Sequence, residues 1–225
     1  MKFGVTVVPR ISDWRLFVDL EAMGYDCAWA ADSQMLYSDA YATLALAAAN
    51  TSRIRLGTGV SVAGVRLAPV TAHSIATINQ LAPGRVFLGI GTGHTAMRVM
   101  GKDPVRARAF REYLRVLRAL LHGEEVEYAL DEDDSPAQIR FLHADRGFID
   151  VEHPVPIYVA ADGPLALKAA GAYGDGRVYG AGRSVIAAFN AENGTPIATF
   201  GNNGVLNPAK AGLDFKDPEI GRAHV

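Results

Sequence analysis

Three glycine-containing corners hold the residues of this sequence that are best placed to bind a ligand. They are Gly57-Thr58-Gly59-Val60, Gly91-Thr92-Gly93-His94 and Ala160-Ala161-Asp162-Gly163-Pro164. Glycine lets the backbone approach a ligand closely, and unpaired N–H groups at such corners bind anionic groups. A single Gly-x-Gly corner is weak evidence, since many are only tight turns. Three of them at successive strand ends, together with Asp32, favour a ligand-binding face.

His94 is the side chain best suited to proton transfer, because it follows a predicted strand rather than lying on an apolar face. An equally acceptable interpretation is a turn histidine that hydrogen-bonds a backbone carbonyl. No pair of histidines has the spacing of metal ligands, so we expect no metal site. The sequence also has no P-loop, no G-x-S-x-G elbow and no complete dinucleotide-binding glycine pattern.

The elements that must position these corners alternate between strand and helix through the first 180 residues. Apolar runs predict strands at residues 3–9, 27–32, 54–62, 86–94 and 156–163, with a sixth strand beginning at residue 177. Helical spacing predicts helices at residues 13–23, 41–50, 69–81, 105–122 and 164–173, the first of them capped by Asp13. Such alternation predicts an α/β fold with a parallel sheet, whose chemistry collects where the strands end.

Residues 124–154 break this alternation. They are acidic at first and then carry two short apolar segments, at residues 139–142 and 148–151. We interpret them as an insertion with one or two short strands, of the kind that often serves as a lid. The arginines of the helix at 105–122 are interpreted as its solvated face.

The composition excludes several classes of protein. The chain has 225 residues, a formal net charge of −2 and a single cysteine, so no internal disulfide can form. Its weak charge does not favour nucleic acid or an anionic membrane surface. No apolar run approaches the length that spans a bilayer, and the first residues do not read as a signal peptide. We therefore expect a cytoplasmic protein that acts on a small molecule.

Six short motifs in residues 1–180 resemble those of the bacterial-luciferase-like flavin- and deazaflavin-dependent oxidoreductases. The motifs are GYD at 24–26, YATLAL at 41–46, IRLGTGV at 54–60, LAPGR at 81–85, LGIGTG at 88–93 and PIYVAA at 156–161. The similarity is greatest to the deazaflavin-dependent branch of that superfamily. The resemblance implies a (β/α) barrel with a coenzyme ring held at the carboxyl ends of the strands.

The resemblance also implies a role for each matching residue. Asp32 is expected near the ring, and Gly59–Val60 is expected to carry a non-proline cis peptide behind it. His94 takes the place of a polar residue beside the ring, so that Asp32 and His94 are the catalytic candidates. The coenzyme contacts are expected from Gly59, Val60, Thr92, Gly93, Ala160, Ala161 and Gly163. The implied coenzyme is a deazaflavin (coenzyme F420), with FMN as the alternative, and the implied assembly is a homodimer.

Two departures from the family pattern shape the prediction. Relatives often carry a histidine directly after the aspartate at the end of the second strand, whereas here Ser33 follows Asp32. A full barrel needs about 250 residues, yet the pattern here stops at the sixth strand. We therefore expect an incomplete (β/α) barrel of five to six strands. The resemblance implies hydride transfer between the coenzyme and a small organic substrate, unless truncation of the barrel leaves the chain inactive. The alternatives are an FMN-dependent luciferase-like monooxygenase, or a non-catalytic fusion product or partner subunit.

Residues 183–225 do not continue the strand and helix alternation. They predict a hairpin with strands at 184–189 and 196–200. They resemble a propeller segment of pyrroloquinoline-quinone-dependent dehydrogenases, with Phe200-Gly201-Asn202-Asn203-Gly204 as the main match. We therefore predict two parts, a partial barrel at residues 1–180 and a quinoprotein-like tail fragment at 183–225.

Overall fold

The computed structural model describes residues 3–130, 134–161 and 164–175, together with the short strands at 178–181, 186–189 and 205–206. The chain divides into two compact units, Met1–Ala160 and Ala161–Val225, which are described separately. The predicted boundary near residue 180 remains a prediction. Most of the tail at 183–225 lies outside the described residues.

The first unit is built on a five-stranded parallel sheet in the order β1-β2-β3-β4-β7. Two further strands, β5 and β6, pair antiparallel with each other within residues 124–154. Short strands were predicted in this insertion, but at residues 139–142 and 148–151. The strands are β1 (Gly4–Val7), β2 (Cys27–Ala30), β3 (Arg55–Val62), β4 (Val86–Gly91), β5 (Val126–Tyr128), β6 (Ala137–Ile139) and β7 (Ile157–Val159).

Helices connect the strands of the parallel sheet, as the alternation predicts. They are α1 (Arg15–Ala22), α2 (Ala40–Asn50), α3 (Ala68–Leu81), α4 (His94–Val99) and α5 (Ala107–Leu121). The short helix α4 was not predicted, and it begins at His94, the last residue of the predicted strand at 86–94. Pro69 lies in the first turn of α3, where its missing N–H leaves no hydrogen bond unmade.

The predicted cap of the first helix is wrong. Residues Ile11–Asp13 form a 3-10 turn, and the Asp13 carboxylate lies 3.7 Å from Nε of Arg10. Trp14 therefore occupies the N-cap position of α1. The aspartate that caps a helix is Asp39, whose Oδ1 accepts a 2.9 Å hydrogen bond from the backbone N–H of Ala42 at the start of α2.

The two faces of the parallel sheet differ in how they are filled. Successive side chains of a strand point to opposite faces. One face is buried aliphatic core, formed by Ala28, Leu56, Leu88, Ile90 and Ile157, each at most 1% exposed. The other face carries an aromatic cluster in which the Trp29 ring centroid lies 4.3 Å from that of Phe87 and 5.4 Å from that of Tyr158.

Glycine leaves room for these rings. A Cβ added to Gly57 would lie 2.2 Å from the Phe87 ring, which no real contact allows. A Cβ added to Gly89 would lie 3.0 Å from the Trp29 ring and 2.2 Å from the carbonyl oxygen of Thr58. The strand glycines of the sequence are thus required by close packing on this face.

Two predicted strands differ from the structure. Residues 148–151 are not a strand, because Asp150 turns the chain by accepting hydrogen bonds from the backbone N–H groups of Glu152 and His153, both at 3.0 Å. The predicted sixth strand does not join the parallel sheet. It is β8 (Val178–Ala181) of the second unit, which follows α6 (Pro164–Tyr173) and pairs antiparallel with β9 (Ile186–Phe189). Strand β10 (Val205–Leu206) completes that sheet, and the predicted strand at 196–200 lies outside the described residues.

Within the described ranges, no helix is long and apolar enough to cross a membrane.

Candidate functional site

The carboxyl ends of β3, β4 and β7 meet around Gly91. A Cβ added to Gly91 would lie 3.2 Å from Cγ2 of Val60 and 3.3 Å from Cβ of Ala160. The backbone N–H of Ala160 donates a 2.8 Å hydrogen bond to the carbonyl of Ile90, so the end of β7 is held beside β4. One residue from each of the three corners that the sequence singles out, namely Val60, Gly91 and Ala160, therefore lies at this edge of the sheet.

The strand β3 is irregular just before its end. The peptide bond between Gly59 and Val60 is cis, as the family resemblance implies. Pairing between β3 and β4 shifts register there, from Thr58 opposite Leu88 to Ser61 opposite Ile90. We call this irregularity the Gly59–Val60 bulge. It packs directly on the aromatic face, because a Cβ on Gly59 would lie 2.7 Å from Cβ of Trp29.

The second corner, after β4, needs glycine for two reasons. Gly93 has φ of 82° and ψ of 56°, a left-handed conformation that favours glycine. A Cβ there would also lie 2.2 Å from Cγ1 of Val62. Thr92 is half-buried, and His94 is exposed at the first position of α4. Because α4 has only six residues, we place no anion site at its N-terminus.

Asp32 lies beside the bulge with its side chain only 2% exposed. Its Oδ2 accepts hydrogen bonds from Oγ of Ser61 at 2.9 Å and from Nη1 of Arg66 at 3.1 Å. Its Oδ1 accepts a 2.7 Å hydrogen bond from Nε2 of Gln34. Burial raises the pKa of Asp32, although Arg66 and Ser61 act in the opposite direction. With both oxygens engaged, the carboxylate is better arranged to hold its neighbours than to exchange protons with a substrate.

The contacts of Asp32 extend to the start of α2. Nη2 of Arg66 donates a 2.5 Å hydrogen bond to Oδ2 of Asp39, and its guanidinium lies 4.5 Å from the centre of the Tyr41 ring. The Tyr41 hydroxyl lies 2.8 Å from Oγ of Ser61. Burial raises the pKa of Tyr41 to about 12, so that its hydroxyl is neutral at physiological pH.

Sequence reasoning missed the other side chains of this group, namely Gln34, Asp39, Tyr41, Ser61 and Arg66. One signal was present, since Ser61 is a polar residue that directly follows the predicted cis peptide. Nothing local points to Arg66, which is 34 positions from Asp32.

The remaining predicted site residues have different outcomes. Ala161 is buried and begins the second unit, and Gly163 lies outside the described residues. The roles assigned to Asp32 and His94 and the expected coenzyme contacts all remain predictions. Among the described residues, no group of three or more histidine, cysteine or acidic side chains could hold a metal ion.

The chain is similar to curated enzymes over about three quarters of its length. It is 35% identical over 185 residues to the 5,10-methylenetetrahydromethanopterin reductase of Methanolobus tindarius, which covers 78% of this chain and 53% of that enzyme. It is 36% identical over 181 residues to the F420-dependent glucose-6-phosphate dehydrogenase of Kineococcus radiotolerans, covering 75% of this chain and 52% of that enzyme. The chain thus spans about half the length of these relatives.

Solved structures of F420-dependent enzymes are similar to this chain over a comparable share of its length. The coenzyme F420 dependent tetrahydromethanopterin reductase from Methanopyrus kandleri superposes with a TM-score of 0.60 at 28% identity, covering 77% of this chain and 54% of that one. An F420-dependent secondary alcohol dehydrogenase, solved with an F420-acetone adduct, has a TM-score of 0.62 at 25% identity, covering 78% of this chain and 57% of that one. The predicted fold class, an α/β fold corresponding to part of a (β/α) barrel, is confirmed.

The family described as luciferase-like monooxygenase matches residues 13–192, which are 180 of the 225 residues of the chain. The match passes beyond residue 180, where the sequence alternation changes. Because it covers more than half of the chain, this match shows that the chain belongs to the luciferase-like monooxygenase family.

Proposed function

We propose that this chain forms the first part of the coenzyme site of an oxidoreductase that transfers hydride between a deazaflavin, coenzyme F420, and a small organic substrate. One observation carries the proposal. Val60, Gly91 and Ala160 lie next to one another near the carboxyl ends of three neighbouring strands, and Val60 belongs to the Gly59–Val60 bulge. In parallel α/β folds this edge of the sheet is where ligands bind.

The residues at this edge fit a flat ring. Small residues occupy this edge, namely Gly59, Gly91, Gly93 and Ala160, so no long side chain extends from these positions. A bare backbone lets a planar group approach closely and offers its N–H and C=O groups as partners. A deazaflavin bound there would supply the hydride chemistry, while the protein supplies orientation and protons.

The residues of this chain then have distinct tasks. The Gly59–Val60 bulge would back the ring, and Thr92 with Gly93 would contact it from the neighbouring strand end. Ala160, Ala161 and Gly163 would contact the side chain or phosphate of the coenzyme. His94 is exposed at the same corner, where it would exchange a proton with the substrate.

The relatives favour a deazaflavin over FMN. Coenzyme F420 is in the names of the Kineococcus dehydrogenase and of the two solved structures described above, which are 28% and 25% identical to this chain. The family description favours a second candidate, an FMN-dependent monooxygenase. An FMN complex of a Baeyer–Villiger monooxygenase has a TM-score of 0.60, but its 18% identity supports the fold alone.

Titration of the purified chain with coenzyme F420 and with FMN, followed by coenzyme fluorescence, tests the proposal. We expect a saturable change with F420 at lower concentrations than with FMN. Tighter binding of FMN would replace the first candidate by the second. No saturable change with either coenzyme would contradict the coenzyme site and favour a non-catalytic partner subunit.

We further propose that the protein assembles as a homodimer. Within the described parts of the chain, β1 and β7 are the edge strands of the parallel sheet, each paired on one side. Unpaired edges favour association with another chain. Sedimentation of the purified chain checks this, and a monomer at all concentrations would contradict it.

A further inference from the structure

Five side chains are joined by hydrogen bonds, ion pairs and a cation–π contact beside the candidate coenzyme site. We call this group the Arg66 network, and it consists of Asp32, Asp39, Tyr41, Ser61 and Arg66. Its members come from the β2–α2 connection and α2 on one side and from β3 and the β3–α3 connection on the other. Contacts across a gap of 20 to 34 positions therefore join two connections that both leave the same edge of the sheet.

The geometry gives Arg66 the central place in this network. Its side chain is 17% exposed and binds two carboxylates at once, Asp32 through Nη1 and Asp39 through Nη2. The planar guanidinium also stacks on the ring of Tyr41. A lysine at this position would keep the positive charge. Its ammonium group is not planar, so it could not bind both carboxylates and stack on the tyrosine ring in the same way.

The network ends on the bulge. The Ser61 hydroxyl donates to Asp32, so the Tyr41 hydroxyl must be the donor in its contact with Ser61. Ser61 follows the cis Gly59–Val60 peptide, and it is where β3 regains its pairing with β4. Ser61, Asp32 and Tyr41 are all at least 93% buried, so water cannot readily replace a lost partner.

We infer that Arg66 is a positioning residue, which holds Ser61 through Asp32 and thereby sets the place of the Gly59–Val60 bulge. The inference rests on the proposed function in so far as the bulge backs a coenzyme ring. Asp32 acts in this scheme as the link between Arg66 and Ser61. It was expected from sequence as a catalytic candidate, and the contacts give it a task that involves no proton transfer.

Trp29 reports the place of the bulge without any coenzyme, because Gly59 packs on its Cβ. The test uses a Trp14→Phe background, in which Trp29 is the remaining tryptophan. The emission maximum of Trp29 is measured in Arg66→Met, Arg66→Lys and Ser61→Ala. Arg85→Met is the matched control, since Arg85 is also partly buried but binds the carbonyls of Ala48, Thr51 and Ile54, which lie before β3.

We expect the Trp29 emission of Arg66→Met and Ser61→Ala to shift to longer wavelength under conditions where both are folded. Arg66→Lys should show a smaller shift, and Arg85→Met should show none despite its own loss of stability. Unchanged emission in Ser61→Ala, or an equal shift in Arg85→Met, would overturn the inference. Since Ser61→Ala removes only a hydroxyl group, it keeps the test decisive even if Arg66→Met does not fold.

Coenzyme titration separates this inference from the proposed function. If the parent chain binds a coenzyme, we expect the dissociation constant to rise about tenfold in Arg66→Met and less than about twofold in Arg85→Met. Equal values in the two variants would overturn the positioning role. If the parent chain binds no coenzyme, the proposed function fails, and the Trp29 emission still decides whether Arg66 sets the place of the bulge.

Discussion

The carboxylate of Glu21, in α1, accepts a 2.7 Å hydrogen bond from the backbone N–H of Ile54, the residue that precedes β3. The N–H groups of Ser52 and Arg53 donate to the same carboxylate at 3.1 and 2.6 Å. Burial by itself would raise the pKa of Glu21, but these hydrogen bonds outweigh it and lower the pKa to about 2. A single side chain of α1 thus fixes the connection through which the chain enters β3.

Acid should weaken the fold through Glu21. Its pKa is lower in the folded chain than the ordinary value of 4.5, so its contribution is complete above pH 4.5 and is lost as pH falls towards 2. Glu21→Gln should cost about 1 kcal/mol at neutral pH, a modest amount because the carboxylate is partly exposed. Urea unfolding between pH 2 and pH 7 measures this. The difference in unfolding free energy between the parent chain and Glu21→Gln should disappear near pH 2.

Glu112→Gln is the control for this prediction. Glu112 pairs with Arg115 on the exposed surface of α5, where ion pairs contribute little. If both variants lose the same stability with the same dependence on pH, the special role of Glu21 is contradicted.

Helix capping by Asp39 is a second prediction. Asp39→Ala removes the cap of α2 and should cost about 1 to 2 kcal/mol of unfolding free energy, with a further loss from its pair with Arg66. Asp13→Ala should stay within about 0.5 kcal/mol, because Asp13 caps no helix in the structure. Thermal unfolding compares the two variants, and an equal or larger loss in Asp13→Ala would show that the cap is misassigned.

Gly93 offers a third prediction, because backbone conformation and steric contact can be separated there. Gly24 and Gly93 both have positive φ, at 92° and 82°. Gly24→Ala should cost about 1 kcal/mol, since an added Cβ would meet nothing within 4 Å. Gly93→Ala should cost more, because the new methyl group would collide with Cγ1 of Val62.

A second substitution tests the origin of that excess. Val62→Ala removes the atom that collides, so the Gly93→Ala/Val62→Ala double variant should lose less stability than the sum of the two single variants. Additive losses would mean that the collision is relieved by movement of the backbone.

Trp29 should also report coenzyme binding, and this is the fourth prediction. It lies beneath the Gly59–Val60 bulge, within the aromatic cluster. Addition of coenzyme F420 should therefore quench tryptophan emission in Trp14→Phe, and much less in Trp29→Phe, at matched coenzyme concentrations. Equal quenching in the two variants would place the coenzyme elsewhere or indicate unspecific absorption of light.

The sequence by itself determined the local features of this protein. The spacing of apolar residues predicted the strands of the parallel sheet and the helices between them, because these patterns depend on neighbours a few positions away. The glycine corners were visible for the same reason, and the resemblance correctly implied a cis peptide at Gly59–Val60. Fold class and family followed from the order of these features.

Only the tertiary structure decided which distant residues meet. The sequence predicted a cap at Asp13, yet the structure places the capping aspartate at Asp39, since the exact residue at which a helix begins depends on how the chain packs. Likewise, a strand pattern at residue 177 does not say which sheet it joins, and β8 pairs with β9. From the sequence, Asp32 is simply an acidic residue at the end of a strand. The structure shows that Ser61 and Arg66, which are 29 and 34 positions away, donate hydrogen bonds to its carboxylate. Such contacts depend on strand register and on where each connection crosses the sheet edge, which no local pattern specifies.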